Sequence, residues 1–185
     1  TALMVGIGKA AQEKVLIKDA TALERLRKVD AMVIDKTGTL TIPNQDIDFT
    51  KADDLPLEAR ESLKPNAAEA MQSLQNSGVE VYMMSGDKEE AACYWTQKAG
   101  IEHYKSKVLP QDKEDFVRTL QQRGKTVAMV GDGINDTQAL ALADVSIAIG
   151  RGTDVAMDVA QVTLMSNDLR CIPKAIRLSQ RTVKM

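Results

Sequence analysis

Four side chains suited to phosphoryl chemistry are spread along the sequence. Asp35, Ser85 and Asp132 each stand at or just beyond the end of a short apolar run, and Lys113 lies in the polar stretch LPQDK. The two aspartates offer oxygen ligands to a hard cation. Mg²⁺ fits best, because it prefers oxygen ligands and usually completes its shell with a substrate phosphate. The serine adds a hydroxyl donor and the lysine a mobile positive charge.

Together these groups predict a site at which a carboxylate attacks phosphorus. A metal ion and Lys113 would neutralise the negative charge, and the lysine would also let two anions, Asp35 and the phosphate, approach each other. Gly38 and the main-chain N–H groups near it could line an anion nest. Taken alone, Asp35 has the alternative of a helix cap or turn residue, and Lys113 that of a solvated helix residue.

Short apolar runs predict the strands that would bring these residues together. Four runs are apolar almost throughout, as expected of strands buried on both faces of a parallel sheet. They cover residues 31–34, 79–84, 126–130 and 145–149, with weaker candidates at 104–109 and 161–165. Helical patterns that end at a glycine alternate with the runs, at 65–78, 88–100 and 110–124.

This alternation predicts a three-layer α/β/α fold with a mostly parallel sheet of about six strands. In such sheets, ligands bind beyond the carboxyl ends of the strands, which is where Asp35, Ser85 and Asp132 stand. Residues 42–64 are polar and weakly periodic, and they predict a loop with one short helix.

The composition argues against other classes of function. The net charge is −2 and the basic residues are scattered without interleaved aromatic residues, so nucleic acid is not a predicted partner. Hydrophobic residues make up 44% of the chain, as in globular proteins. Cys93 and Cys171 stand in no metal-binding motif and are interpreted as free thiols of a reducing compartment. No apolar run reaches the ~18–20 residues of a membrane-spanning helix, and no signal peptide is visible.

Four motifs follow one another along the chain: DKTGTLT from Asp35, SGD from Ser85, PQDK with Lys113, and GDGIND from Gly131. In this order they resemble the motifs of the haloacid dehalogenase superfamily. More narrowly, they resemble the phosphorylation domain of P-type ATPases, the cation pumps that work through an aspartyl-phosphate. The resemblance covers residues 1–41 and 64–185 and implies a haloacid dehalogenase-like, Rossmannoid fold.

Residue by residue, the resemblance implies overlapping sets of functional positions. The implied catalytic residues are Asp35, as the phosphorylated nucleophile, Thr37 and Lys113. The implied phosphate-binding residues are Lys36, Thr37, Gly38, Ser85, Gly86 and Asn135. The implied Mg²⁺ ligands are Asp35, the main-chain carbonyl of Thr37, and Asp132. The implied supporting residues are Thr39, Asp87, Gly133 and Asp136. For Asp87, capping of a helix that starts near Lys88 is a compatible alternative.

Thr37 also carries an independent argument about reaction type. Phosphatases of the superfamily usually have a second aspartate two residues after the nucleophile, where it acts as acid and base. Threonine cannot do that work at neutral pH. We therefore expect the aspartyl-phosphate to form but to hydrolyse slowly, as a pump requires.

The sequence around the motifs resembles heavy-metal pumps, and the copper branch more than the zinc and cadmium branch. By that resemblance, residues 1–28 lead from a missing transmembrane helix, residues 29–172 form the phosphorylation domain, and residues 173–185 lead to another transmembrane helix. The chain would be a cytoplasmic part of an integral protein of the cell or inner membrane. Its implied partners are the transmembrane, actuator and nucleotide-binding domains and a transported metal ion, with Cu⁺ favoured, bound elsewhere.

The chain departs from the family pattern in the segment after DKTGTLT. A nucleotide-binding domain normally follows there, but residues 42–64 are too few for a domain. The His-Pro pair with which the heavy-metal branch reads ATP is also absent, since His103 is followed by Tyr104. Either the domain was removed or the protein has a reduced version. We expect the chain to keep the phosphate and Mg²⁺ site, to bind ATP, the donor of the full-length pump, poorly, and to transport nothing.

Two alternatives of other classes remain at this point. A free-standing phosphatase of the same superfamily would turn over p-nitrophenyl phosphate rapidly. A non-catalytic module that binds phosphate or partners would not be labelled at Asp35 by any donor. A pump domain for Zn²⁺ or Cd²⁺ is the alternative within the favoured class.

Overall fold

A computed structural model describes residues 2–44, 55–131, 137–149 and 160–183. In these residues seven strands form one sheet in the order β1-β9-β8-β7-β2-β5-β6. The strands of this sheet are β1 (Val15–Ile17), β2 (Ala31–Asp35), β5 (Glu80–Met84), β6 (His103–Lys105), β7 (Val127–Gly131), β8 (Val145–Ile149) and β9 (Val162–Leu164). All neighbours pair in parallel except β1 and β9. The predicted mostly parallel sheet is therefore confirmed, and the strand that the sequence did not predict is the antiparallel edge strand β1.

Helices cover both faces of this sheet. The helices are α1 (Ala2–Gln12), α2 (Ala20–Arg27), α3 (Leu57–Arg60), α4 (Ala67–Asn76), α5 (Glu89–Ala99), α6 (Pro110–Gln122), α7 (Thr137–Leu142) and α8 (Cys171–Val183). One core cluster joins the sheet to α1, α2, α4, α5 and α8, and a second joins it to α6 and α7. Alternate residues of β2 belong to the two clusters, Met32 and Ile34 to the first and Ala31 and Val33 to the second. This is the period-2 burial expected of a strand between two helical layers.

The segment 42–64 contains more regular structure than predicted. The short helix is present as α3, but β3 (Thr41–Pro43) and β4 (Glu61–Leu63) also pair as a separate antiparallel hairpin. Three-residue strands with mixed polarity give too weak a pattern to predict from sequence, and their pairing depends on contacts elsewhere in the fold. The hairpin follows directly on the loop after β2, so it lies next to the predicted nucleophile in the chain.

Strand β2 lies between β5 and β7 in the middle of the sheet. Asp35 is in register with Met84 of β5, and Ile34 is in register with Val130 of β7. The loops that carry the predicted motifs therefore leave the sheet at one edge, as parallel pairing requires. None of the helices in the described part of the chain combines the length and the apolar character needed to cross a bilayer.

Candidate active site

Asp35 and Lys113 form the centre of the candidate site. Asp35 is the last residue of β2, and Lys113 lies in the first turn of α6. The Nζ atom of Lys113 donates to Oδ1 of Asp35 at 3.0 Å, and the two residues are 6% and 9% exposed. The start of α6 is fixed because Asp112 accepts a hydrogen bond from the main-chain N–H of Leu109 at 2.8 Å. A buried carboxylate thus faces a buried ammonium group at the carboxyl end of the central strand.

The loop after Asp35 is closed by its own main chain. The carbonyl of Lys36 accepts hydrogen bonds from the N–H groups of Leu40 and Thr41, both at 2.9 Å, and the N–H of Gly38 donates to the carbonyl of Thr41 at 3.0 Å. Gly38 has φ of +80°, a left-handed conformation that glycine adopts without steric cost. These bonds hold the loop in one shape beside Asp35.

Three polar groups of this loop have no hydrogen-bond partner within the described residues. Within the described residues, neither the N–H nor the carbonyl of Thr37 has a hydrogen-bond partner. The hydroxyl of Thr39 is fully buried and likewise has no partner there. Buried polar groups normally find a partner, so an unpartnered hydroxyl one turn from Asp35 fits a site that is completed by a polar ligand.

The predicted phosphate-binding residues Ser85 and Gly86 begin the loop after β5. Ser85 is 1% exposed, its main-chain N–H donates to the carbonyl of Lys105, and its carbonyl accepts from the N–H of Val108. Its hydroxyl oxygen accepts a hydrogen bond from the N–H of Asp87 at 3.0 Å, which leaves the hydroxyl proton for another acceptor. Because Met84, the last residue of β5, pairs with Asp35, Ser85 follows directly after the residue in register with Asp35.

Lys36 is held by carboxylates on two other segments. Its side chain is fully buried, and Nζ lies 2.5 Å from Oε2 of Glu61 and 2.6 Å from Oδ2 of Asp87. Glu61 also accepts a short hydrogen bond from the hydroxyl of Thr41. The ammonium group predicted to bind phosphate is therefore engaged in a three-way ion pair. Asp87 supports the loop and does not cap α5, whose N-cap residue is Lys88 without a side-chain cap.

The remaining predicted residues, Asp132, Gly133, Asn135 and Asp136, lie outside the described residues. The described part of the chain contains no group of three acidic, histidine or cysteine side chains that could hold a metal ion by itself. The described donors that suit Mg²⁺ are oxygen atoms, the carboxylate of Asp35 and the carbonyl of Thr37. They fit the cation in type, and Asp132, the third predicted ligand, lies outside the described residues.

Two family profiles match the chain. Residues 43–144 and residues 113–176 each match a profile described as haloacid dehalogenase-like hydrolase. The chain belongs to the haloacid dehalogenase-like hydrolase family. The first match spans more than half of the sequence. It includes β5, which precedes Ser85, α6, which contains Lys113, and the strand β7.

Two curated relatives of this haloacid dehalogenase-like chain are named as copper-transporting P-type ATPases. It is 48% identical over 126 residues to a probable copper-importing P-type ATPase A of Enterococcus hirae, which covers 67% of this chain and 17% of the relative. It is 32% identical over 282 residues to a copper-exporting P-type ATPase of Legionella pneumophila, which covers 98% of this chain and 38% of the relative. The chain thus spans less than two fifths of the length of either relative.

A solved structure shares the fold over nearly the whole chain. The crystal structure of a zinc-transporting PIB-type ATPase in the E2.Pi state superposes with a TM-score of 0.84 and 25% identity, over 99% of this chain and 46% of that one. The resemblance to the phosphorylation domain of heavy-metal P-type ATPases, which the four motifs indicate, is confirmed by these relatives and by the shared fold.

Glu61 is the residue near the site of this haloacid dehalogenase-like domain that sequence reasoning missed. It stands in the segment 42–64, which carried no motif and was predicted to be mainly a loop. A single glutamate in a polar segment gives no signal of burial. Only the hairpin pairing of β3 with β4 brings its carboxylate to Lys36 and Thr41.

Proposed function

We propose that this chain is the catalytic phosphorylation domain of a heavy-metal P-type ATPase and that Asp35 becomes phosphorylated. The observation that carries the proposal is the buried contact between Asp35 and Lys113 at the end of the central strand. A lysine ammonium directed at a buried carboxylate suits a nucleophile that must meet a second anion. In the full-length protein the donor would be ATP, and hydrolysis would be coupled to metal transport.

Each residue of the site has a different role in the proposed phosphoryl transfer. An oxygen of Asp35 attacks phosphorus while the bond to the leaving oxygen breaks, and Lys113 offsets the negative charge of nucleophile and phosphate. The open N–H of Thr37, the hydroxyl of Ser85 and the nearby main chain of Gly38 and Gly86 are suited to hold phosphate oxygens. Asn135 would complete this set from the loop after β7.

Mg²⁺ is the proposed cofactor. The carboxylate of Asp35, the main-chain carbonyl of Thr37 and the carboxylate of Asp132 would hold it, with Gly133 and Asp136 supporting that loop. When bound, the ion supplies positive charge to the phosphoryl group during transfer. Lys36 contributes through its ion pairs with Glu61 and Asp87, which fix the loops around Asp35.

Thr37 favours a stored intermediate over a phosphatase cycle. At the position where superfamily phosphatases have an aspartate, a threonine cannot activate water as a general base at neutral pH. The aspartyl-phosphate is therefore expected to persist in this chain. Rapid release of phosphate would instead favour a free-standing phosphatase.

The hairpin of β3 and β4 is the proposed attachment point of the nucleotide-binding domain. The alignment with the Legionella relative runs over 282 positions, whereas this chain has 185 residues, so at least 97 of those positions belong to the relative alone. A domain inserted between β3 and β4 would account for them. Without it, poor ATP binding is expected, and small donors such as acetyl phosphate are the appropriate substrates.

The remaining parts of the proposal concern the parent pump. Residues 1–28 and 173–185 would connect residues 29–172 to transmembrane helices, and actuator and nucleotide-binding domains would be its partners, with the domain facing the cytoplasm. Cu⁺ is favoured as the transported ion because the reported curated relatives are named copper pumps. Zn²⁺ or Cd²⁺ is the second candidate for the transported ion, because the similar solved structure is that of a zinc-transporting ATPase.

Intact-mass spectrometry after incubation with Mg²⁺ and acetyl phosphate tests the proposal, with Asp35→Asn as the control. A persistent, acid-stable and hydroxylamine-labile phosphate adduct is expected in the wild type and not in the variant. Rapid phosphate release without an adduct would favour the phosphatase. If neither adduct nor release occurs, binding of beryllium fluoride with Mg²⁺ separates a competent site that needs the missing domain from an inert one.

A further inference from the structure

A groove of about 390 Å³ lies between α1 and α8, away from the predicted catalytic residues. Its charged lining consists of Lys9, Lys174, Arg177, Arg181 and Glu13. Four cations therefore stand against one carboxylate, in a chain whose net charge is −2. The volume is in the range of pockets that bind small molecules or headgroups.

The single carboxylate compensates only part of this charge. Glu13 lies 4.0 Å from Lys174, and the two side chains are 58% and 43% exposed. An exposed pair at this distance interacts weakly. The exposed groups Lys9, Arg177 and Arg181 have no recorded ion pair within the described residues. The groove is consequently a local positive surface on a slightly acidic protein.

Helix α8 presents its charges as one stripe. Lys174, Arg177 and Arg181 have the spacing i, i+3 and i+7, which places them on one side of the helix. The opposite side is buried in the core, with Ile172 and Ile176 each at most 3% exposed. The sequence of α8 contains no acidic residue. A helix with one apolar face and one exposed face on which every charge is basic is typical of segments that lie against anionic surfaces.

Helix dipoles do not explain the whole stripe. Lys9 and Arg181 stand in the last turns of α1 and α8, where the dipole favours positive charge. Lys174 stands in the first turn of α8, where the dipole disfavours a cation, and Arg177 lies near the middle. An external anion is the interaction that would use all four cations together.

We propose that this groove binds the phosphate headgroups of anionic phospholipids. The choice of lipid over a soluble anion rests on the proposed function, in which α1 and α8 lead to transmembrane helices. The leaflet on the cytoplasmic side of a membrane is negatively charged and attracts juxtamembrane basic residues. Leu178, which is partly buried against the core, adds an apolar floor between the charged side chains.

Cosedimentation with lipid vesicles tests this proposal on the 185-residue chain. The chain is expected to bind vesicles of equal parts phosphatidylcholine and phosphatidylglycerol and not to bind vesicles of pure phosphatidylcholine. Added salt should dissociate it from the anionic vesicles. Arg177→Gln with Arg181→Gln should weaken binding about 25-fold, since each basic residue near such a surface contributes about fivefold. Lys9→Gln with Arg177→Gln removes one charge from each helix and should weaken it similarly.

Arg118→Gln with Arg123→Gln is the matched control, because it removes two exposed charges on the other face of the sheet, one on α6 and one at its C-terminal cap. This variant should bind as the wild type does. The proposal would be overturned if the control variant lost as much binding as the two groove variants. It would also be overturned if the wild type did not bind the anionic vesicles. Displacement by inorganic phosphate at constant ionic strength would also overturn it, by identifying a soluble anion. Adduct formation at Asp35 is measured separately, so failure here is distinguishable from failure of the proposed function.

Discussion

The ammonium group of Lys113 lies 3.0 Å from the carboxylate of Asp35, although 78 residues separate the two in sequence. The parallel topology of the sheet brings the end of β2 and the start of α6 to the same place. The contact also places a positive charge beside the predicted nucleophile before any substrate is present. Catalysis by charge of this kind depends on groups that need not reorganise during the reaction.

Replacing Lys113 with methionine should slow formation of the phosphate adduct by about 10²–10³-fold, the usual loss when one preorganised charge-stabilising group is removed. Methionine keeps the length of the buried side chain but removes the charge. The rate is measured by intact mass over time with Mg²⁺ and acetyl phosphate. Lys98→Met, on the exposed face of α5, is the control and should leave the rate unchanged. An adduct rate in Lys113→Met equal to that of wild type would remove the lysine from the mechanism.

Glu61→Gln should lower the free energy of unfolding by about 2 kcal/mol. The change leaves the fully buried ammonium of Lys36 with Asp87 as its remaining carboxylate partner, and breaking a buried pair on one side is costly. Asp87→Asn should have a smaller effect, because the Asp87 side chain is 45% exposed, against 12% for Glu61. Urea unfolding measures both changes.

Glu58→Gln provides the control for Glu61→Gln, since Glu58 is an exposed glutamate of the same segment. Its unfolding midpoint should stay within error of the wild type. If Asp87→Asn proved the more damaging of the two ion-pair variants, Glu61 would not be the principal partner of Lys36.

Thr37→Asp should shorten the lifetime of the adduct at Asp35. The new carboxyl group would stand where superfamily phosphatases have their acid and base, and general base catalysis typically contributes 10²–10⁴-fold. Phosphate release after removal of acetyl phosphate measures the lifetime. Thr37→Asn, which has the same shape without the proton-transfer group, is the control. An equally long-lived adduct in Thr37→Asp would mean that threonine is not what preserves the intermediate.

Asp168→Asn should reduce stability in a pH-dependent way. The guanidinium of Arg170 donates to both carboxylate oxygens of Asp168, from Nε to Oδ1 and from Nη2 to Oδ2, and lowers the pKa of that carboxyl from 3.8 to about 2. The stabilisation is present above the unfolded-state pKa and is lost as the pH falls towards 2. Because the pair is partly exposed, the loss at pH 7 should be about 1 kcal/mol.

Urea midpoints of wild type and Asp168→Asn, compared between neutral pH and about pH 3, check this expectation. The difference between the two proteins should narrow as the solution is acidified. Asp115→Asn, an exposed position on α6, should show no such convergence. A constant difference at all pH values would assign the effect of Asp168 to shape rather than to charge.

The central strands were predictable because each is a short apolar run buried on both faces. Strands β2, β5, β7 and β8 lie within or beside residues 31–34, 79–84, 126–130 and 145–149. The edge strand β1 and the hairpin strands have three residues each, and their formation depends on partners distant in sequence. Local patterns carry no information about such pairings.

The sequence motifs made part of the candidate site predictable. Asp35 and Lys113 were expected to meet, and they do. Lys36 was predicted to bind phosphate because of its place in the motif, but its ion pairs were not predicted. The structure buries it against Glu61 and Asp87, and nothing in the sequence marks Glu61 as its partner.

The central position of β2 has a consequence for how the protein opens. The strand is hydrogen-bonded on both sides, and residues Ala31–Ile34 are fully buried. Amide hydrogens in such a place exchange with solvent only when the whole domain unfolds, whereas edge strands exchange through local opening. The predicted nucleophile is therefore attached to a strand whose amide hydrogens are expected to exchange slowly. Local opening at the edges of the sheet is thus expected to leave Asp35 in its place.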